Sequence, residues 1–270
     1  MKDAKYLDLV LDPIRTCAKY KPKFGQGNRG QGLTLEQFQR LYRSDPFYSW
    51  FGLDNPLLYA AHKAAGGMTS VYRQIGIGCE RLFRALLRDA LGLSDTDVSW
   101  SYRVRLPNGR TRTLYLDARI PLDRVANRER RDKLCSWMRS SAKEIGVDNA
   151  VFSALRGIVF EVRQGYKSKD SKRQNADIAN AATAYAKAYL PCVAILSKQI
   201  DTDILCRYKA ERWVVITGIE GANNPLISTY DFMRDIIGFD LAAFFERNSA
   251  FLRAEIDTVL RALLTSECQE

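Results

Sequence analysis

The sequence predicts an α/β protein built on a mixed central β-sheet flanked by helices. Three observations predict it. Apolar residues recur at helical spacing over long stretches, above all from Thr69 to Leu91 and from Leu241 to Leu264. Polar and apolar residues alternate on both sides of the pair Asn108-Gly109, the pattern of a β-hairpin. Three short runs, 157–162, 192–196 and 213–217, are almost wholly apolar, as strands covered on both faces are. Hydrophobic residues at 46% and charged residues at 27% suit a packed globular chain and exclude a disordered one. No internal repeat or low-complexity linker divides the 270 residues. One domain over 1–270 is therefore expected, with a core at about 70–220, a helical N-terminal extension over 1–66 and C-terminal helices over 226–266.

The elements follow in order. Tyr6, Leu7, Val10, Leu11 and Ile14 give residues 1–20 an apolar helical stripe. Residues 22–32 form a basic, Gly-rich loop. Its glycines lack the spacing of a phosphate-binding loop or a dinucleotide fingerprint, so no nucleotide cofactor is expected. A short helix over 35–43 takes Thr34 as its N-cap. The aromatic group Phe47, Tyr48, Trp50 and Phe51 is assigned to core or packing positions. Gly66-Gly67 is read as a break. The helix after it, 69–91, buries Cys79, Leu82, Phe83, Leu86, Leu87 and Ala90 and stops at Gly92. The hairpin joins a strand at 98–106 to a returning strand at 110–120. A basic helix covers 127–145, and an Ala-rich helix over 174–189 stops near Pro191. Helices over 230–237 and 241–264 close the chain, the second packing through Phe244, Phe251, Ile256, Val259, Leu260 and Leu263.

Charge narrows the function. The formal net charge is +10, and the window 103–175 accounts for all of it with 18 basic and 8 acidic residues. The other 197 positions balance at 23 and 23. Such a concentration points to a polyanion, because Lys and Arg on phosphates release counterions and supply most non-specific nucleic-acid affinity. A solvated basic surface is the plain alternative. No apolar run reaches the roughly 18 residues of a membrane span, so no membrane partner is expected. The N-terminal sequence lacks the pattern of a signal peptide. Six cysteines without a CxxC pair argue against a zinc knuckle and for reduced thiols in a cytoplasm. The single histidine, His62, excludes a His-cluster metal site. Chemistry then falls to carboxylates, Lys, Arg, Tyr or Cys.

Three carboxylates stand in telling places. Asp117 lies near the end of the second hairpin strand, among apolar and basic residues. Glu161 lies inside the apolar run Gly-Ile-Val-Phe-Glu-Val. Glu80 lies on the preceding helix, beside Arg81 and Arg84, which offer it simple salt bridges. A carboxylate within a strand core is costly unless it is paired or binds a cation. Two of them on adjacent strands can converge on Mg²⁺, which takes one or two carboxylates plus water and phosphate oxygens. The alternative is structural: Asp117 and Glu161 neutralise Arg119 and Arg163, each two residues away on the same strand face. After Glu161 the chain is rich in Lys, Arg, Gln and Asn, the side chains that pair with base edges, and a helix is expected to start near Ser171.

This arrangement resembles the PD-(D/E)xK nuclease superfamily and, within it, the type II restriction endonucleases. The resemblance covers residues 70–220 or so. A helix carries Glu80 after small residues, in Gly76-Ile77-Gly78-Cys79-Glu80; a hairpin delivers Asp117; a strand delivers Glu161 in the (D/E)xK position; a helix and another strand follow. The resemblance implies a restriction-endonuclease-like fold with helical N- and C-terminal additions, and a site-specific double-stranded DNA endonuclease that uses Mg²⁺ in a bacterial or archaeal cytoplasm. It implies that Asp117 and Glu161 hold the metal, that Arg163 or Lys167 stabilises charge in the transition state, and that Glu80 orients a water or a ligand. Base reading would fall to Lys167, Ser168, Lys169, Asp170, Ser171, Lys172, Arg173, Gln174 and Asn175. A palindromic target implies a homodimer. The sequence departs from the pattern at Leu116, where Pro is usual, and at Arg163, where Lys is usual. Arg keeps the charge but does not serve readily as a base, so Gln164 or Lys167 are alternatives for that place. The 44-residue separation of Asp117 and Glu161 is long for the family and implies an inserted basic helix. A non-catalytic DNA-binding protein and a structure-selective repair or junction nuclease remain the alternative functions.

Overall fold

A computed structural model describes residues 3–24, 31–105, 109–165 and 180–265. They form a mixed α/β structure that divides into two compact units, Met1–Gly78 with Arg247–Glu270, and Cys79–Glu246.

The first unit is helical. Helix α1 (Ala4–Arg15) buries Val10, Leu11, Pro13 and Ile14 on one stripe. Helix α2 (Leu35–Arg43) opens on a capping box, in which Thr34 accepts from the Gln37 N–H and Gln37 returns to the Thr34 N–H, as expected of Thr34. Helix α3 (Pro46–Trp50) starts on proline after the N-cap Asp45. Its aromatic residues are not core: Phe47, Trp50 and Phe51 are 58%, 81% and 68% exposed. Phe47 packs on Tyr48 and Phe51, and Tyr48 stacks on Tyr42 of α2. Helix α4 (Pro56–Leu91) is continuous through Gly66-Gly67, against the expected break. Those glycines serve close packing, since Tyr20 lies against one and Leu263 against the other with no room for a side chain.

The C-terminal segment is not one helix. Helix α11 (Leu241–Arg247) ends before Asn248, and α12 (Ser249–Leu264) begins after it. Phe244, Val259 and Leu263 are buried as expected, whereas Phe251 is 45% exposed. Two clamps tie chain ends that sequence distance hides. Arg15 donates to Glu255 at 2.7 Å. Arg247 donates to both carboxylate oxygens of Asp3 at 2.6 and 2.9 Å, and Asn248 adds a third bond at 3.0 Å.

The second unit holds the sheets. After the one-turn α5 (Asp95–Val98), strands β1 (Trp100–Arg105) and β2 (Thr111–Leu116) form the expected antiparallel hairpin, Trp100 opposite Leu116. The returning strand does not run on to Ile120. It breaks at Asp117, and β3 (Ala118–Pro121) pairs elsewhere. The main sheet has the order β3-β4-β5-β6, with β4 (Gly157–Arg163), β5 (Tyr189–Ile195) and β6 (Val214–Ile216). β3 and β4 are antiparallel, and the rest are parallel. Every residue of β4, β5 and β6 is buried, which explains their largely apolar runs, broken in β4 by Glu161 and Arg163.

Helices α6 (Arg128–Glu144) and α7 (Asn149–Ala154) join β3 to β4. Described residues 180–186 form helix α8, and Ala188, at φ 62°, turns the chain into β5. Pro191 therefore stands inside a strand and does not stop the helix. Helix α9 (Thr202–Ala210) links β5 to β6. The segment at 229–237 is a short turn, α10 (Thr229–Asp231), followed by a π-helical stretch from Phe232 to Ile237. One sheet face packs Val159, Val193, Ile195 and Val215 against Trp100, Tyr102 and Leu116 of the hairpin, Ala181 and Ala184 of α8, and Ile204 and Tyr208 of α9. On the other, Phe160 meets Phe83 of α4 and Phe232, with ring centres 5.2 and 5.8 Å apart. Each such side chain contributes about 1.5–3 kcal/mol by leaving water.

Among the described residues no helix is long and apolar enough to cross a membrane.

Candidate active site

Asp117 is the residue at which the hairpin hands the chain to the main sheet. Ala118 pairs with Phe160, yet the Asp117 N–H also donates to the Phe160 carbonyl at 2.9 Å. Two residues of one strand thus oppose one of the other, which is a β-bulge, a device that re-aims a side chain. The re-aimed carboxylate takes over a ladder bond, its Oδ2 accepting the Val162 N–H at 2.8 Å. From α4, Arg84 Nε donates to the Asp117 carbonyl at 2.6 Å. Asp117 is therefore held by strand main chain and by a helix side chain together.

Glu161 and Arg163 alternate along β4 and share one face at the carboxyl end of the strand, where open α/β sheets place their ligands. One guanidinium joins both acids. Arg163 Nη2 is ion-paired with Glu161 Oε1, and Arg163 Nη1 lies 3.9 Å from Asp117 Oδ2. The three side chains are only 9% (Arg163), 8% (Glu161) and 18% (Asp117) exposed. Ionised groups so withdrawn from water persist when they compensate one another.

Of the two same-strand ion pairs that the sequence offered, one is present, Glu161 with Arg163. Arg119 does not serve Asp117. Its Nε and Nη2 donate to the carbonyls of Asp97 and Thr96 at 2.7 and 2.8 Å, and its guanidinium lies 6.0 Å from the ring centres of Trp100 and Tyr189.

Glu80 is half-buried one helical turn before Arg84, so it shares the helix face whose arginine grips Asp117. Arg84 is the participant that sequence reasoning missed. Its signal is the four-residue spacing from Glu80, which in the sequence reads simply as a salt bridge. Lys167 and the whole base-reading stretch to Asn175 lie outside the described residues.

Among the described residues no group of three or more His, Cys, Asp or Glu is placed to hold a metal ion. The donor set to weigh is thus the carboxylate pair Asp117 and Glu161. Carboxylate oxygens are hard donors, and two of them suffice for Mg²⁺, which completes its shell with water and phosphate. The pair with its guanidinium carries one net negative charge. By chemistry and by charge these residues fit a divalent cation. Cysteine chemistry has no such support. Burial pushes the Cys79 thiol up to about 12, with the neighbouring Glu80 charge adding to it, and raises Cys192 well above the ordinary thiol range.

No protein-family model, curated protein or solved structure matches this chain.

Proposed function

We propose that this chain is a Mg²⁺-dependent, sequence-specific endonuclease of double-stranded DNA, of the type II restriction class and with a restriction-endonuclease-like core. One observation carries the reading: Asp117 and Glu161, 44 residues apart in sequence, share one guanidinium at the carboxyl end of a buried strand. The element order supports it, since a helix with Glu80, a hairpin ending at Asp117, the strand of Glu161 and a helix–strand pair follow as in the PD-(D/E)xK pattern. So does the concentration of the positive charge in the same stretch of chain.

Asp117 and Glu161 would hold Mg²⁺, which when bound supplies Lewis-acid stabilisation of the charge that develops on the scissile phosphate. The Val162 N–H keeps the Asp117 carboxylate aimed before any substrate arrives. Arg163, once released from the two acids, is a cation beside the same phosphate. It stays protonated, so it stabilises charge and leaves proton transfer to others. Lys167 is the other candidate for that charge. Glu80 accepts a hydrogen bond from the attacking water and orients it. The water oxygen attacks phosphorus, the 3′ oxygen leaves with a proton, and the ends carry 5′-phosphate and 3′-hydroxyl. The stretch Lys167–Asn175 reads bases, and a homodimer meets a palindromic site.

Arg163 also favours a second reading, a DNA-binding protein without cleavage. It stands where the family has Lys, and it neutralises the acids internally. Digestion of a sequenced phage genome with Mg²⁺, with the ends mapped, decides between them. Discrete fragments sharing one sequence at their ends are expected. Bound but uncut DNA would establish the second reading, and cutting confined to branched or damaged DNA would make the chain a repair nuclease.

A further inference from the structure

We infer that the β1–β2 ribbon grips duplex DNA, laying its outward face in the major groove. The inference rests on DNA being the substrate, and it assigns the contact to a surface that neither the family pattern nor the base-reading stretch includes. Residues 99–116 contain Arg103, Arg105, Arg110 and Arg112 and no Asp or Glu. The register sorts them by face. Trp100, Tyr102 and Leu116 point inward and are buried in the core, which fixes the ribbon as a rigid element. Ser101 opposite Tyr115, and Arg103 opposite Thr113, point outward and are exposed. Arg112, opposite Val104, alternates with Leu114 and Leu116 and so lies on the other face, exposed toward the tip.

Tyr115 is 69% exposed, a large ring on a surface that has no packing use for it. An outward face of arginine, hydroxyls and one aromatic ring matches phosphates and sugar edges. The shape also fits. Six-residue strands span about 20 Å, and a two-stranded ribbon enters a major groove of roughly 12 Å. β2 runs directly into Asp117, so a groove held by the ribbon brings its phosphates beside the candidate catalytic carboxylate.

The basic helix α6 is the natural rival, and four of its six cations have partners within the protein. Arg128 lies 3.9 Å from Asp132, and Lys133 is 3.0 Å from Glu129. Arg130 donates to the Ile237 carbonyl, and Arg139 stands over the Phe152 ring at 4.9 Å. Within its own strand pair Arg103 has no carboxylate beside it.

The test is the salt dependence of binding to a fluorescent duplex, measured by anisotropy on the full chain without divalent cation. Each phosphate contact contributes about 0.9 to the slope of log K against log salt. Arg103→Ala should lower the slope by about 0.9 and weaken binding, while Arg103→Lys keeps most of it. Thr113→Glu sets a carboxylate directly opposite Arg103 and should lower the slope by about 0.9, which carries the test should Arg103→Ala fail to fold. Unchanged slopes in a wild type that binds duplex overturn the ribbon and leave the nuclease reading standing. Ribbon-dependent binding with no cleavage in Mg²⁺ upholds the ribbon and removes the nuclease. A wild type that binds no duplex overturns both.

Discussion

At Arg163 a guanidinium lies between two carboxylates that are themselves largely withdrawn from water. Removing one member of such a buried set strands the others, at a cost of about 3–5 kcal/mol. Arg163→Met should therefore melt well below wild type in EDTA. Mg²⁺ or Mn²⁺ should restore much of the loss, because a cation then takes the vacated charge position. A melt that stays low whatever the metal would show that Asp117 and Glu161 do not hold one. Asp3 is a purely structural counterpart. Its hydrogen bonds from Arg247, and then from Asn248, hold its carboxyl at about 2 against an ordinary 3.8. A depressed folded-state pKa contributes stability that is complete above the unfolded value and is lost as pH falls toward the folded one. Wild type should lose an increment between about pH 4 and pH 2 that Asp3→Asn never has, read as the difference in their melting temperatures. Parallel acid profiles would remove the clamp.

Among the elements, α4 shows how far local reasoning reaches. Gly78 and Gly76 look alike in sequence and differ in the fold. A Cβ at Gly78 would stand 2.6 Å from the Val10 carbonyl oxygen and 2.9 Å from its Cα, main chain that cannot easily yield, whereas nothing lies within 4 Å of one at Gly76. Gly78→Ala should cost about 1–3 kcal/mol by overpacking. Gly76→Ala should gain up to about 1 kcal/mol from helix propensity alone. Urea unfolding of the two variants checks both, and equal signs would show that α4 does not pack on α1 as described.

What could be read in advance was local: the Thr34 cap, the hairpin with its alternation, and the buried apolar strands. What could not be read depended on distant partners. The bulge at Asp117 exists because Phe160 and Val162 are its neighbours, and no periodicity announces it. Gly66-Gly67 punctuates a sequence but fits Tyr20 and Leu263 in space. The aromatic residues of α3 satisfy every compositional test for a core and stand in water, because a five-residue helix has too little surface to bury them.

For the molecule as a whole, the +10 charge acquires a place. Part of the window's basic side chains is engaged within the protein, Arg119 on main-chain carbonyls and Arg163 between its acids. On the ribbon, Arg103 and Arg112 stand exposed. The candidate carboxylates were legible because a buried acid in an apolar strand is expensive. Their meeting on Arg163 was half-legible, since the Glu161 pair lies within two residues while the Asp117 approach crosses strands.

The account makes the two acids, and not the positive surface, the source of chemistry. The most direct measurement compares wild type with Asp117→Asn on supercoiled plasmid, scoring cleavage with Mg²⁺ and duplex binding without it. Asn keeps an oxygen for the Val162 N–H but gives up the charge that holds a cation. The account predicts cleavage by wild type, at least a hundredfold loss (on the order of 3 kcal/mol) in the variant, and binding within a few-fold of wild type. Cleavage by Asp117→Asn at the wild-type rate, or plasmid left intact by wild type under these conditions, would contradict it.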